Sequence, residues 1–118
     1  MTARIACLLA SEIALFACAS TVHAGLLPFG EPHSRAATAE AIIAVILALG
    51  LVTGLVRPSL VRRAALAAQG LALVGTLVGA ITIAIGIGPQ TGGDKAFHLV
   101  LVAVLVFGLW LAGRIRRR

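Results

Sequence analysis

The sequence predicts an all-α membrane protein of four transmembrane helices, folded as two antiparallel hairpins with both termini in the cytoplasm. Three observations lead there. Of its 118 residues, 60% are hydrophobic and only 12% are charged, against about 25% charged in an average soluble domain. The apolar residues fall in four blocks, with little amphipathic spacing within them. The basic residues cluster at the ends of those blocks, on one side of the predicted fold. A chain of this length has room for one domain, so residues 1–118 form a single transmembrane domain with helices over about 5–24, 36–56, 64–87 and 96–112.

The first three blocks have the roughly 20 residues that a helix needs to cross about 30 Å of hydrocarbon, and the fourth sits near the short limit of about 17. Each has to be helical, because an isolated strand would leave its backbone groups unpaired in lipid. The first block admits two readings. Met1 to Arg4, the apolar run and the ending Val22-His23-Ala24 resemble a cleavable signal peptide. The run is long for such a core, however, and contains Glu12. As a transmembrane helix it is balanced. Ile5, Leu8, Leu9, Ile13, Leu15, Phe16 and Val22 favour insertion by about 0.3–0.6 kcal/mol each, and a central acid opposes it by about 2.5–3.5 kcal/mol. A retained helix, with neighbours covering the acid, is the reading adopted. Cleavage would leave three helices with the amino terminus outside.

The punctuation between blocks follows the same division. Leu27-Pro28-Phe29-Gly30-Glu31-Pro32 is a turn segment, and Ser34 and Thr38 are candidate N-caps of the second helix. Arg57-Pro58-Ser59 ends that helix, since the residue before a proline disfavours the helical region. Gly86 to Asp94 forms the last interhelical loop.

Orientation comes from the arginines. Arg4, Arg57, Arg62, Arg63, Arg114, Arg116, Arg117 and Arg118 lie on one side of a four-helix arrangement, and only Arg35 and Lys95 on the other. Short loops rich in Lys and Arg stay in the cytoplasm, so these arginines are topology anchors and both termini are inside, as in a multi-pass protein of a bacterial inner (plasma) membrane. The net charge of +6 is thereby explained without nucleic acid, for which a basic patch interleaved with aromatics is missing. The partner this composition implies is the lipid bilayer.

Glu12 is the sharpest functional candidate. An acid deep in an apolar block is expensive and by default marks an ion or proton pathway. The bland alternative is a hydrogen bond to a neighbouring helix through Thr53, Thr76 or Gln69. The segment Ala10-Ser11-Glu12-Ile13 resembles the local context of the small multidrug resistance transporters, which implies an acid in the first helix serving coupled transport. The likeness stops at these residues. The family's third-helix glycine and aromatic pattern is missing, Trp110 is on the fourth helix, and the arginine bias argues against insertion in both orientations.

A second group of polar residues gathers at the extracytoplasmic face: His23, Glu31, His33 and Glu40 at the first outer loop, Asp94 and His98 at the second. Eleven residues separate Glu12 from His23, about 20° in helical direction, so both lie on one face. Imidazoles and carboxylates there could bind a divalent metal or pass a proton inward. None has a recognised metal-ligand spacing, and no metal or cofactor is expected. His98, at i+4 from Asp94, is the first of the group to test. The pattern T-x-x-x-G-x-G-P-x-T-x-x-D-x-x-x-H over Thr82–His98 resembles the loop of uncharacterised small four-helix bacterial inner-membrane proteins. That likeness covers the last two helices and implies no activity.

Gly50-x-x-x-Gly54 and Gly75-x-x-x-Gly79, one on each middle helix, allow close backbone approach and point to helix packing within or between protomers. Cys7 and Cys18 are eleven residues apart on one helix, about 16 Å, too far for a disulfide; they read as small filler in a packed helix. No nucleophile–base arrangement surrounds any serine. The expected function is therefore a structural or accessory membrane protein, without enzymatic activity and open to homo-oligomer formation or membership of a larger membrane complex. The alternative is an oligomeric proton- or cation-coupled small transporter using Glu12.

Overall fold

The computed structural model describes residues 3–115; Arg116, Arg117 and Arg118, three of the predicted topology anchors, lie outside the described residues. The described chain is helical without strands. It comprises α1 (Ala3–His23), α2 (Ser34–Val56), a short 3-10 turn (Pro58–Leu60), α3 (Val61–Ala84) and α4 (Gly92–Gly113). All four α-helices are long and apolar enough to cross a membrane. The longest dimension is 45 Å, comparable with the roughly 40–45 Å of a bilayer including its headgroups.

Four elements, but not all their ends, lie where the sequence predicts. The third helix stops at Ala84 rather than at residue 87. Gly86 takes a positive φ of 85°; its N–H bonds to the Ile83 carbonyl, and that of Ile87 reaches back to Thr82. This is a Schellman closure, for which glycine is the default residue. Gly25 closes α1 in the same manner, at φ 73°, with Leu26 N–H bonded to the Thr21 carbonyl. The fourth helix starts at Gly92, not at 96, so Gly92, Gly93 and Asp94 belong to its first turn and not to the loop. Its reason is a reciprocal capping box: Thr91 Oγ1 accepts from Asp94 N–H at 3.1 Å, and Thr91 N–H donates to Asp94 Oδ2 at 3.3 Å. The cap of α2 is also displaced. His33 holds that position, its Nδ1 accepting from Ala36 N–H at 3.3 Å. Ser34 is the first helical residue, and Thr38 sits inside the helix donating to the Ser34 carbonyl.

The interior is a narrow seam. On α1 the buried residues are Ile5, Leu9, Glu12, Phe16, Ala19 and His23, alternating steps of four and three. α4 does the same with Leu101, Leu105, Gly108 and Ala112. Such a seven-residue repeat is the seam of knobs-into-holes packing. The helices pack in chain order, and α1 also touches α4. The opposite faces of α2, α3 and α4 present large side chains outward, including Leu49, Val74, Leu99 and Phe107.

The glycine motifs divide by position. On α2, Gly50 and Gly54 are both buried. A methyl group at Gly50 would stand 2.5 Å from Ala68 Cβ and 3.3 Å from the Ala64 carbonyl. This is the close α2–α3 approach that small residues permit in a bilayer. On α3, Gly75 faces Ile43 while Gly79 faces His98, so that pair serves two different neighbours. Cys7 and Cys18 are free and exposed, on the outer side of α1 with Ala10, Ser11, Ala14 and Ala17. They are not filler in a packed seam, because the seam runs along the other side of that helix.

Candidate functional site

Two buried polar centres lie inside the bundle, and α1 contributes to both. At mid-bundle Glu12 is fully buried. Gln69 of α3, equally buried, donates from Nε2 to Glu12 Oε1 at 3.0 Å and Oε2 at 3.1 Å. Of the three partners that the sequence offers, Gln69 is therefore the one in contact. Thr76 instead returns its hydroxyl to the Ala72 carbonyl of its own helix at 2.8 Å. The third wall is Gly108 of α4. A methyl group there would fall 2.5 Å from Glu12 Oε1 and closer still to Gln69 Nε2, so glycine is what lets α4 close over the pair. Gln69 Oε1 is buried and has no donor among the described residues.

The second centre joins three helix ends. His23, 3% exposed at the last position of α1, directs Nδ1 to the Glu40 carboxylate of α2, 2.8 Å from Oε2 and 3.0 Å from Oε1. Its Nε2 faces Asp94 Oδ1 of α4 at 3.4 Å. Glu40 is itself 5% exposed. Helix polarity suits two of the three groups: the imidazole sits at a C-terminus, where cations are favoured, and Asp94 in the first turn of α4, where anions are favoured, whereas Glu40 lies beyond the first turn of α2. Asp94 divides its oxygens between two tasks, Oδ2 capping α4 and Oδ1 facing His23. The centre is closed from the loop side by the His33 N–H, which donates to the His23 carbonyl at 2.7 Å.

The candidate residues from the sequence thus separate. Glu12 and His23 share the buried face of α1, as their spacing predicts, and His23 meets Asp94. His98 does not join them by hydrogen bond: its Nδ1 donates to the Asp94 backbone carbonyl at 2.9 Å, and its Nε2 lies near Gly79. Glu40 takes the place expected of it. Gln69, Gly108 and the pairing role of Glu40 were not singled out by spacing. For Glu40 a signal existed, since it falls at a seam position of α2, six residues into the helix. Chemically, two carboxylates on opposite edges of one imidazole form a bridge between helices. Among the described residues no group of three or more His, Cys, Asp or Glu is arranged to hold a metal ion.

The double task of Asp94 can be separated by substitution. Asp94→Asn keeps an acceptor for the Thr91 N–H but removes the negative charge facing His23. It is expected to lower stability by up to about 1 kcal/mol, the worth of one charge-assisted contact at a helix end. Asp94→Ala should lose about 0.5–1.5 kcal/mol more, because the Thr91 N–H loses its acceptor while Thr91 Oγ1 still caps the residue-94 N–H. Denaturation in mixed micelles reads both. An Asn variant indistinguishable from wild type beside a weakened Ala variant would leave the His23 contact with no energetic role.

No family model, curated protein or solved structure matches the chain.

Proposed function

We propose that this chain is a small integral membrane protein of a bacterial inner membrane with a structural or accessory role and no enzymatic activity. In this reading the helices form two antiparallel hairpins, and both termini are cytoplasmic. The observation that carries it is the way the buried polar side chains are matched across helices. Glu12 is held by Gln69, and His23 by Glu40 and Asp94. Interhelical hydrogen bonds of this kind fix which faces meet when lipid and core are equally apolar. The orientation is supported by the eight-to-two division of basic residues. Trp110 and Phe107 stack at 5.7 Å, with the Arg114 guanidinium 4.2 Å from the Trp110 ring centre; aromatic and cationic groups of this kind favour the membrane–water interface.

One feature favours the second reading, a proton- or cation-coupled transporter using Glu12. Gln69 Oε1 is a buried acceptor with no donor, on the residue that binds Glu12. The two readings separate on Glu12→Gln. In proteoliposomes the structural reading expects proton- or cation-driven flux no greater than in protein-free vesicles, for wild type and Glu12→Gln alike. A wild-type flux that Glu12→Gln abolishes would overturn it in favour of transport.

A further inference from the structure

We propose that Arg62 binds the phosphate group of an anionic phospholipid at the end of the bundle opposite the His23 centre. Because His23, Glu40 and Asp94 meet at one end, the start of α1, the end of α2, the start of α3 and the end of α4 share the other. That end carries Arg4, Arg57, Arg62, Arg63 and Arg114. The four acids of the chain are elsewhere: Glu12 at mid-bundle, Glu31 in the first connection, and Glu40 and Asp94 in the far centre. No Asp or Glu side chain therefore lies at this end.

Arg62 differs from its neighbours in surroundings. Its Nε is shielded from solvent and has no acceptor among the described residues. Arg63 is exposed to water or headgroups, and Arg114 lies over the Trp110 ring. A shielded guanidinium N–H without an acceptor is unfavourable. Its position makes the need sharper. Arg62 is in the first turn of α3, a turn with no acidic residue and with Leu60 at the cap giving no side-chain hydrogen bond. A helix N-terminus opposes a cation and favours an anion. A phosphate placed there gives Arg62 Nε an acceptor, and the planar guanidinium matches phosphate oxygens in a two-point fork. At the end of a 45 Å bundle the abundant phosphate is that of the lipid headgroup, and basic recesses between helices are known settings for anionic lipids.

The test uses the full chain in nanodiscs of phosphatidylcholine, with or without phosphatidylglycerol. It reads the thermal midpoint and, by native mass spectrometry, the lipid retained. Phosphatidylglycerol should raise the midpoint of wild type and of Arg63→Gln, and should not raise that of Arg62→Gln. Retained phosphatidylglycerol should fall about fivefold in Arg62→Gln, the factor for one basic contact near the surface, and less in Arg62→Lys, which keeps the charge without the fork. Equal losses in Arg62→Gln and Arg63→Gln would overturn the site in favour of diffuse attraction. Inorganic phosphate that reproduces the effect in phosphatidylcholine discs would overturn the lipid assignment. Should Arg62→Gln not fold, Arg62→Lys set against Arg63→Gln decides: retained phosphatidylglycerol should fall in the first and not in the second, and equal retention in the two overturns the site.

Discussion

Gln69→Leu is expected to destabilise the bundle by about 1–3 kcal/mol, the range for leaving a buried polar group without its partner. That exceeds the average of about 0.6 kcal/mol for a cross-helix hydrogen bond in a bilayer. Average values come from groups that find substitutes when a partner is removed. Glu12 has none within reach: it is fully buried, Gln69 is its one side-chain partner among the described residues, and Gly108 covers it from α4. The reciprocal change isolates the cause. Glu12→Leu combined with Gln69→Leu removes both groups and should recover most of the loss, since paired polar groups replaced by apolar ones of similar size are nearly neutral. Unfolding in bicelles measures the four corners of the cycle. If the double variant is no more stable than Gln69→Leu alone, the defect is one of packing, and the pair has no special standing.

The second large effect belongs to Gly50. Gly50→Ala puts a methyl group 2.5 Å from Ala68 Cβ, a distance that real side chains do not adopt. The neighbours cannot yield by rotating, because one is a Cβ fixed to its backbone and the next, at 3.3 Å, is the Ala64 carbonyl. The helices themselves have to separate, and overpacking of this kind costs about 1–3 kcal/mol. Moving the methyl instead of adding one is the control: Ala68→Gly in the Gly50→Ala background should restore most of the stability. The same substitution at Gly75, whose nearest neighbour is the terminal carbon of Ile43 at 3.1 Å, should be milder. Ile43 can change rotamer there. Equal penalties at Gly50 and Gly75 would contradict this account.

The number and order of helices were legible because length and block composition suffice for them. The inner faces were not. In a soluble bundle the buried stripe is more apolar than the rest, but here Leu49 and Val74 outside are as apolar as Leu47 and Ala72 inside, and the periodicity is flattened. Only polar residues break that symmetry. For this reason Glu12 and His23 pointed to the seam of α1, whereas Gln69 stood level with Thr53 and Thr76 until the helices were placed together. Glycines misled where their role is double. Gly92 and Gly93 read as loop residues, yet Thr91 and Asp94 on either side of them build a capping box that overrides their weak helical preference. Gly86 fell both within the predicted third helix, to residue 87, and at the start of the predicted loop, when its sign of φ makes it the stop of α3. Gly108 gave no signal of its own, because what it accommodates lies on two other helices.

The separation of Glu12 from Gln69, 57 positions along the chain, also sets a schedule. At roughly 5–20 residues per second, about 3–11 s pass between synthesis of the acid and synthesis of the amide that receives it. In the membrane reading proposed above, α1 has to stay inserted throughout that interval on apolar contributions that a central acid nearly cancels. Assembly of this bundle is thus a wait, and the arrival of α3 ends it.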